Sequence, residues 1–161
     1  MDVEAIGRPE QLANLRSGQC FFFDSGYGPR LGMLSQDESN NGFLVFGKPD
    51  EDDRGPWVIT GGLPQTLLVV DDIRIRTDWT SLESGAAVDL GSITSAAGSF
   101  YMRAALRGIE TATINLVSGL LEQIPSSGAV FHYTRWGAGI IRDNKWLSLV
   151  EFPFKNPPSS D

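Results

Sequence analysis

The chain is predicted to be all-β: a single-domain antiparallel β-sandwich with one short N-terminal helix. About ten short runs rich in β-branched and aromatic residues recur at intervals of roughly 8–14 residues, with Gly and Pro turns between them. Several of these runs alternate apolar and polar residues, the period of a strand with one face on a core and one in water. Composition agrees: 161 residues, 41% hydrophobic and 20% charged, are globular values for one domain large enough to bury a core without metals or disulfides. Residues 1–155 are assigned to that domain, and Asn156-Pro-Pro-Ser-Ser-Asp161 to a disordered tail.

The clearest element lies at Ala97–Val117. From Phe100, the residues Phe100, Met102, Ala104 and Leu106 fall on one face of a strand and Tyr101, Arg103, Ala105 and Arg107 on the other. Gly108 breaks the run and Thr111–Val117 resumes the alternation, so the pair predicts an antiparallel hairpin. A helix competes through Ala96, Ala97, Ala104 and Ala105, but Gly98 would stand in its first turn and no continuous apolar stripe opposes Arg103 and Arg107.

In chain order, Pro9–Arg16 predicts the helix, with a proline tolerated in a first turn, Leu12 and Leu15 on one side and Gly18 to end it. Cys20–Phe23 predicts a strand stopped by Asp24–Pro29. Leu31–Leu34 and Gly42–Phe46 flank a polar loop ending in Asn-Asn-Gly, a hairpin combination. Trp57–Thr60 and Leu67–Val70 are further strands, and Ile73, Ile75, Thr77 and Trp79 alternate with Arg74, Arg76 and Asp78. Ala87–Leu90 and Ser92–Thr94 are short candidates. Ala129–Trp136 opens the last β region, Trp136-Gly-Ala-Gly139 is expected to turn it, and Lys145–Phe154, apolar on both faces, predicts a buried central strand.

The motifs exclude more chemistry than they support. Gly26, Gly28 and Gly32 miss the dinucleotide spacing by one position, and Pro29 removes a backbone N–H that would face a phosphate. Asp50, Asp52 and Gly55 imitate the start of a calcium loop, but Arg54 stands where a ligand belongs and Gly61 where the closing glutamate would be. No metal and no cofactor is therefore assigned. Cys20 is the single cysteine and His132 the single histidine. A nucleophilic site would have to combine His132 with Cys20 or a serine and an aspartate, yet there is no Gly-x-Ser-x-Gly elbow and Cys20 adjoins three phenylalanines, the setting of a buried, unreactive thiol.

Charge points to binding. The net charge is −7, and residues 1–89 hold 15 acids against 7 bases while residues 90–161 hold 5 against 6. Such a balance disfavours nucleic acid and complements a basic protein. The candidate contact residues are Asp50, Glu51, Asp52 and Asp53, with Asp71 and Asp72, which as neighbours on a strand end do not converge on one substrate atom. A second candidate, a site for a small molecule or carbohydrate and, as a lesser option, a hydrolase, gathers His132, Arg135 and Trp136 from His-Tyr-Thr-Arg-Trp, with His132, Thr134 and Trp136 expected on one strand face. The N-terminus lacks the basic and apolar segments of a signal peptide and no run reaches the ~18 apolar residues of a membrane span, so cytoplasmic residence is expected.

The stretch Ala97-Gly-Ser-Phe-Tyr-Met-Arg-Ala-Ala-Leu-Arg-Gly108, followed by Thr113-Ile-Asn-Leu-Val117, resembles the late strand pair of small bacterial β-sandwich proteins of the competence protein J type, a nuclease inhibitor. Those proteins tend to carry an acidic residue directly after the Arg-Gly pair and a Trp soon after the second strand, where this chain has Ile109-Glu110 and Gly119-Leu120-Leu121. The resemblance implies a β-sandwich and a non-catalytic acidic protein that occludes a toxic or nucleolytic partner; it carries over no site residue.

Overall fold

A computed structural model describes residues 7–26, 28–36, 41–47, 56–62, 65–85, 89–106, 110–126 and 128–153. Fourteen strands are built from them: β1 Arg8–Gln11, β2 Cys20–Asp24, β3 Pro29–Gln36, β4 Asn41–Val45, β5 Trp57–Ile59, β6 Thr66–Val70, β7 Arg74–Thr77, β8 Leu82–Ser84, β9 Ile93–Ala96, β10 Ser99–Ala105, β11 Thr111–Asn115, β12 Phe131–Tyr133, β13 Trp136–Arg142 and β14 Lys145–Phe152. The fold is all-β. The larger sheet runs β1-β6-β2-β3-β4-β5-β10-β9-β12-β8, with β11 also on β10; the smaller runs β14-β13-β7. Pairing between these strands is antiparallel except where β5 meets β10 in parallel at Trp57 and Ala105, and one isolated parallel bridge joins Gln36 to Leu120.

The predicted hairpin is present, with Tyr101 opposite Asn115 and Ala105 opposite Thr111. β10 is also the strand on which β5, β9 and β11 all pair. Its turn from β9 falls at Ala97 and Gly98, both with positive φ, the requirement of a two-residue hairpin loop that follows the sheet twist. β3 and β4 form the second predicted hairpin, closing at Gln36 opposite Asn41.

Four expectations are corrected. Residues 8–11 form a strand on β6 in place of the first helical turns, and only Leu12–Asn14 coil, as a single 3₁₀ turn whose Leu12 N–H donates to the Gln65 carbonyl. β7 ends at Thr77, because the Asp78 carboxylate caps a second 3₁₀ turn at Trp79–Ser81 and carries Trp79 into solvent. Trp136–Gly139 does not turn: it opens β13, and the turn falls at Asp143-Asn144, both with positive φ. β14 is an edge strand, not a central one, and its outward positions include Lys145, Ser148 and Glu151. Asp50, Glu51, Asp52 and Asp53, the Ala87-Val88 half of Ala87–Leu90 and the 156–161 tail lie outside the described residues.

Alternation along the first strands gives the larger sheet two buried faces. Phe21, Phe23, Phe43, Val45, Leu67 and Val69 make one core, in which the three phenylalanine rings meet with centroids 5.7–6.2 Å apart. The intervening positions make the other. There Leu31, Met33, Leu44 and Phe46 of the larger sheet pack in one cluster with Trp136 and Ala138 of β13. This second core places the smaller sheet and the segment leading into it.

Candidate functional site

His132 lies in the middle of β12, opposite Glu83 on one side and Thr94 on the other, and is 3% exposed. Its Nε2 faces the Gly85 carbonyl, which only accepts, so the proton sits on Nε2. Nδ1 then accepts from the Thr94 hydroxyl at 2.9 Å. Both nitrogens are occupied, and the ring joins three strands rather than offering a base to solvent. It borders a recess of about 500 Å³ between Gly85, Pro125 and Val130.

Beyond Tyr133 the chain leaves the larger sheet and enters the smaller one, so the expected shared face of His132, Thr134 and Trp136 does not exist. The corner is held by the 3₁₀ turn before β8: the Arg135 N–H donates to Ser81 Oγ at 3.0 Å, and the Asp78 N–H to the Arg135 carbonyl at 2.9 Å. The Arg135 guanidinium folds back onto Thr80 Oγ1 at 2.7 Å and Asp78 Oδ2 at 3.2 Å. The Asp78 carboxyl is held below the usual range, first by the Thr80 hydroxyl and backbone N–H that donate to it and then by Arg135.

Trp136 is 4% exposed. Its Nε1 donates to the Gly91 carbonyl at 2.6 Å, its ring stacks on Phe152 at 5.5 Å with 12° between planes, and Phe46 meets its edge. Gly91 has φ +82°, and a Cβ there would strike the Phe152 ring, so glycine is required where the indole finds its acceptor. Trp136 is a core residue with one polar bond, not an exposed stacking platform.

Arg135 and Trp136 do border one groove, of about 470 Å³, on the smaller sheet. Its other polar borders are Arg76, Thr77, Asp78, Ser148 and Glu151. The Arg76 guanidinium lies 4.2 Å from the Trp146 ring centroid, a cation–π contact. Gly139 of β13 has no room for a side chain: a Cβ there would strike the Leu147 carbonyl and come within 2.7 Å of the Trp146 ring. The signal was the pair of glycines in Trp136-Gly-Ala-Gly139, which also mark a close approach of side chains to a strand.

Asp71 and Asp72 stand exposed at the β6–β7 turn, Asp72 with φ +61° and Asp71 Oδ2 at 3.6 Å from Arg8 Nε. Cys20 borders a different cavity from His132, and burial pushes its thiol up to about 12, so it stays protonated. The structure therefore does not gather the thiol and the imidazole. Among the described residues no group of three His, Cys, Asp or Glu side chains is placed to hold a metal, and no helix is long and apolar enough to cross a membrane. No protein-family model, no curated protein and no solved structure matches this chain.

Proposed function

We propose that this is a non-catalytic acidic binding protein, an inhibitor or immunity-like partner of a basic protein, as the resemblance to the competence protein J type implies. The observation that carries the reading is the charge: the acid-rich first half keeps Asp71, Asp72, Glu83 and Asp89 exposed. The internal engagement of His132 and the protonated Cys20 support binding over nucleophilic chemistry. The same reading takes the two sheets as layers of a sandwich, supported by the core cluster they share, and places the protein in the cytoplasm.

A tagged chain is exposed to source-cell lysate at low and high salt, beside charge-reversal variants of Asp50–Asp53 and of Asp71 and Asp72. One basic protein held stoichiometrically at low salt, released at high salt and weakened by reversal is the expected result. Retention indifferent to salt and to both reversals counts against the acidic contact surface.

A second reading, binding of a carbohydrate or other small polar molecule, draws on the groove beside Arg135, Trp136 and Trp146. There the free ring face is already stacked by Arg76, and Arg135 is bound to Asp78 and Thr80. His132 stands at a separate recess, so such a site would not use it.

A further inference from the structure

Between the two sheets lies a cavity of about 270 Å³. The larger sheet supplies Cys20, Met33 and Ile93 to its wall, and β7 of the smaller sheet supplies Ile75 and Thr77, with Ile73 directly before that strand. Phe100 and Val117 border it while remaining 43% and 74% exposed, so they form a lip open to water.

The lining contains no charged side chain, and Thr77 is its one side-chain hydroxyl among the described residues. At about 30 Å³ per water the space would hold several, and the side chains of its wall offer them few polar partners. Close-packed interiors seldom leave so large a gap. An apolar cavity of about 150 Å³ takes benzene, so this one suits a bicyclic aromatic or an alkyl chain of about eight carbons.

We propose that this cavity is a binding site for an uncharged, hydrocarbon-rich small molecule, which enters past Phe100 and Val117 and lies between Ile75 and the Cys20–Met33 wall. The exposed lip is then the entrance, and the whole ligand passes inside it, out of water. This site is separate from the acidic surface, and neither depends on the other.

The test titrates the full chain with naphthalene and 1-octanol, and with octanoate as a charged counterpart, following isoleucine and methionine methyl signals by NMR. Saturable shifts at Ile73, Ile75, Ile93 and Met33, with octanoate at least about tenfold weaker, are expected. Cys20→Phe, which fills the cavity, and Val117→Trp, which covers the lip on an exposed residue, each weaken naphthalene binding about tenfold or more. If Cys20→Phe does not fold, Val117→Trp carries the test. Absence of shifts up to probe solubility, or shifts that persist in the folded variants, overturns the proposal. A Cys20→Phe chain that melts higher while the parent binds no probe overturns it too, identifying the space as a packing gap.

Discussion

At the scale of single residues, the groups with the most chemical potential are the ones most firmly used by the fold. His132 bonds through both nitrogens to different strands, so His132→Ala removes two hydrogen bonds and leaves the Thr94 hydroxyl without its acceptor. A loss of about 2–4 kcal/mol in urea unfolding is expected. Cys20 shows the same logic through ionisation. Its thiol is pushed from 9.0 to about 12 by burial alone, so its thiolate population at pH 8 falls by about three orders of magnitude. Iodoacetamide labelling of the native chain is slow by that factor against the urea-unfolded chain. As pH rises above about 9 the unfolded thiol ionises first, so stability declines toward pH 12. Asp78 runs the other way: its depressed carboxyl contributes fully above about pH 4, and the contribution is lost as pH falls through the folded value. Asp78→Ala therefore lowers Tm at pH 7, and the difference from the parent closes in strong acid. The apolar neighbours of Cys20 foretold its inertness; the spent state of His132 needed the third dimension, since Thr94 and Gly85 are 38 and 47 positions away.

At the scale of elements, alternation was legible and context was not. Phe100–Ala105 and Thr111–Asn115 pair as their pattern requires, with Met102 and Ala104 fully buried, but the two faces are less cleanly divided than the alternation implies: Phe100 is largely exposed and Tyr101, on the arginine face, is buried. Pro9–Arg16 misled because its leucine spacing also suits a strand followed by one turn. Pairing of Arg8–Gln11 with Thr66–Val69 and the burial of Leu12 and Leu15 against the phenylalanine core outweigh local helix propensity. Lys145–Phe152 misled because apolar residues on both faces signal a central strand, whereas here the outward Trp146 covers the glycine floor of β13. Two substitutions separate these causes. Ala97→Asn, at φ +48° in the β9–β10 turn, relieves a left-handed alanine and raises stability by about 0.5–1 kcal/mol in chemical denaturation. Gly139→Val drives a side chain into the Leu147 carbonyl and the Trp146 ring and lowers stability by at least about 1–3 kcal/mol, with a change in tryptophan emission.

At the scale of the molecule, charge is sorted by sheet more than by chain half. Arg74 and Arg76 of β7 belong to the acidic half of the sequence but pair with Gly139 and Gly137 in the smaller sheet, whose other strands carry Arg142 and Lys145. Removing that pair from the first half leaves the larger sheet and its loops more acidic than the linear count showed. The all-β class and the hairpins were visible in periodicity, while the cavity between sheets was not, because its wall is assembled from residues scattered from Gly18 to Val117. An acidic surface makes a kinetic prediction that a purely apolar contact does not. The decisive measurement is therefore the association rate of the captured basic partner with the immobilised chain at about 50 mM and about 500 mM salt, for the parent and for the Asp71→Lys, Asp72→Lys double variant. The account predicts association that slows about tenfold or more with salt, a weaker salt response in the variant, and dissociation that changes little. Association independent of salt, or identical in parent and variant, would contradict it.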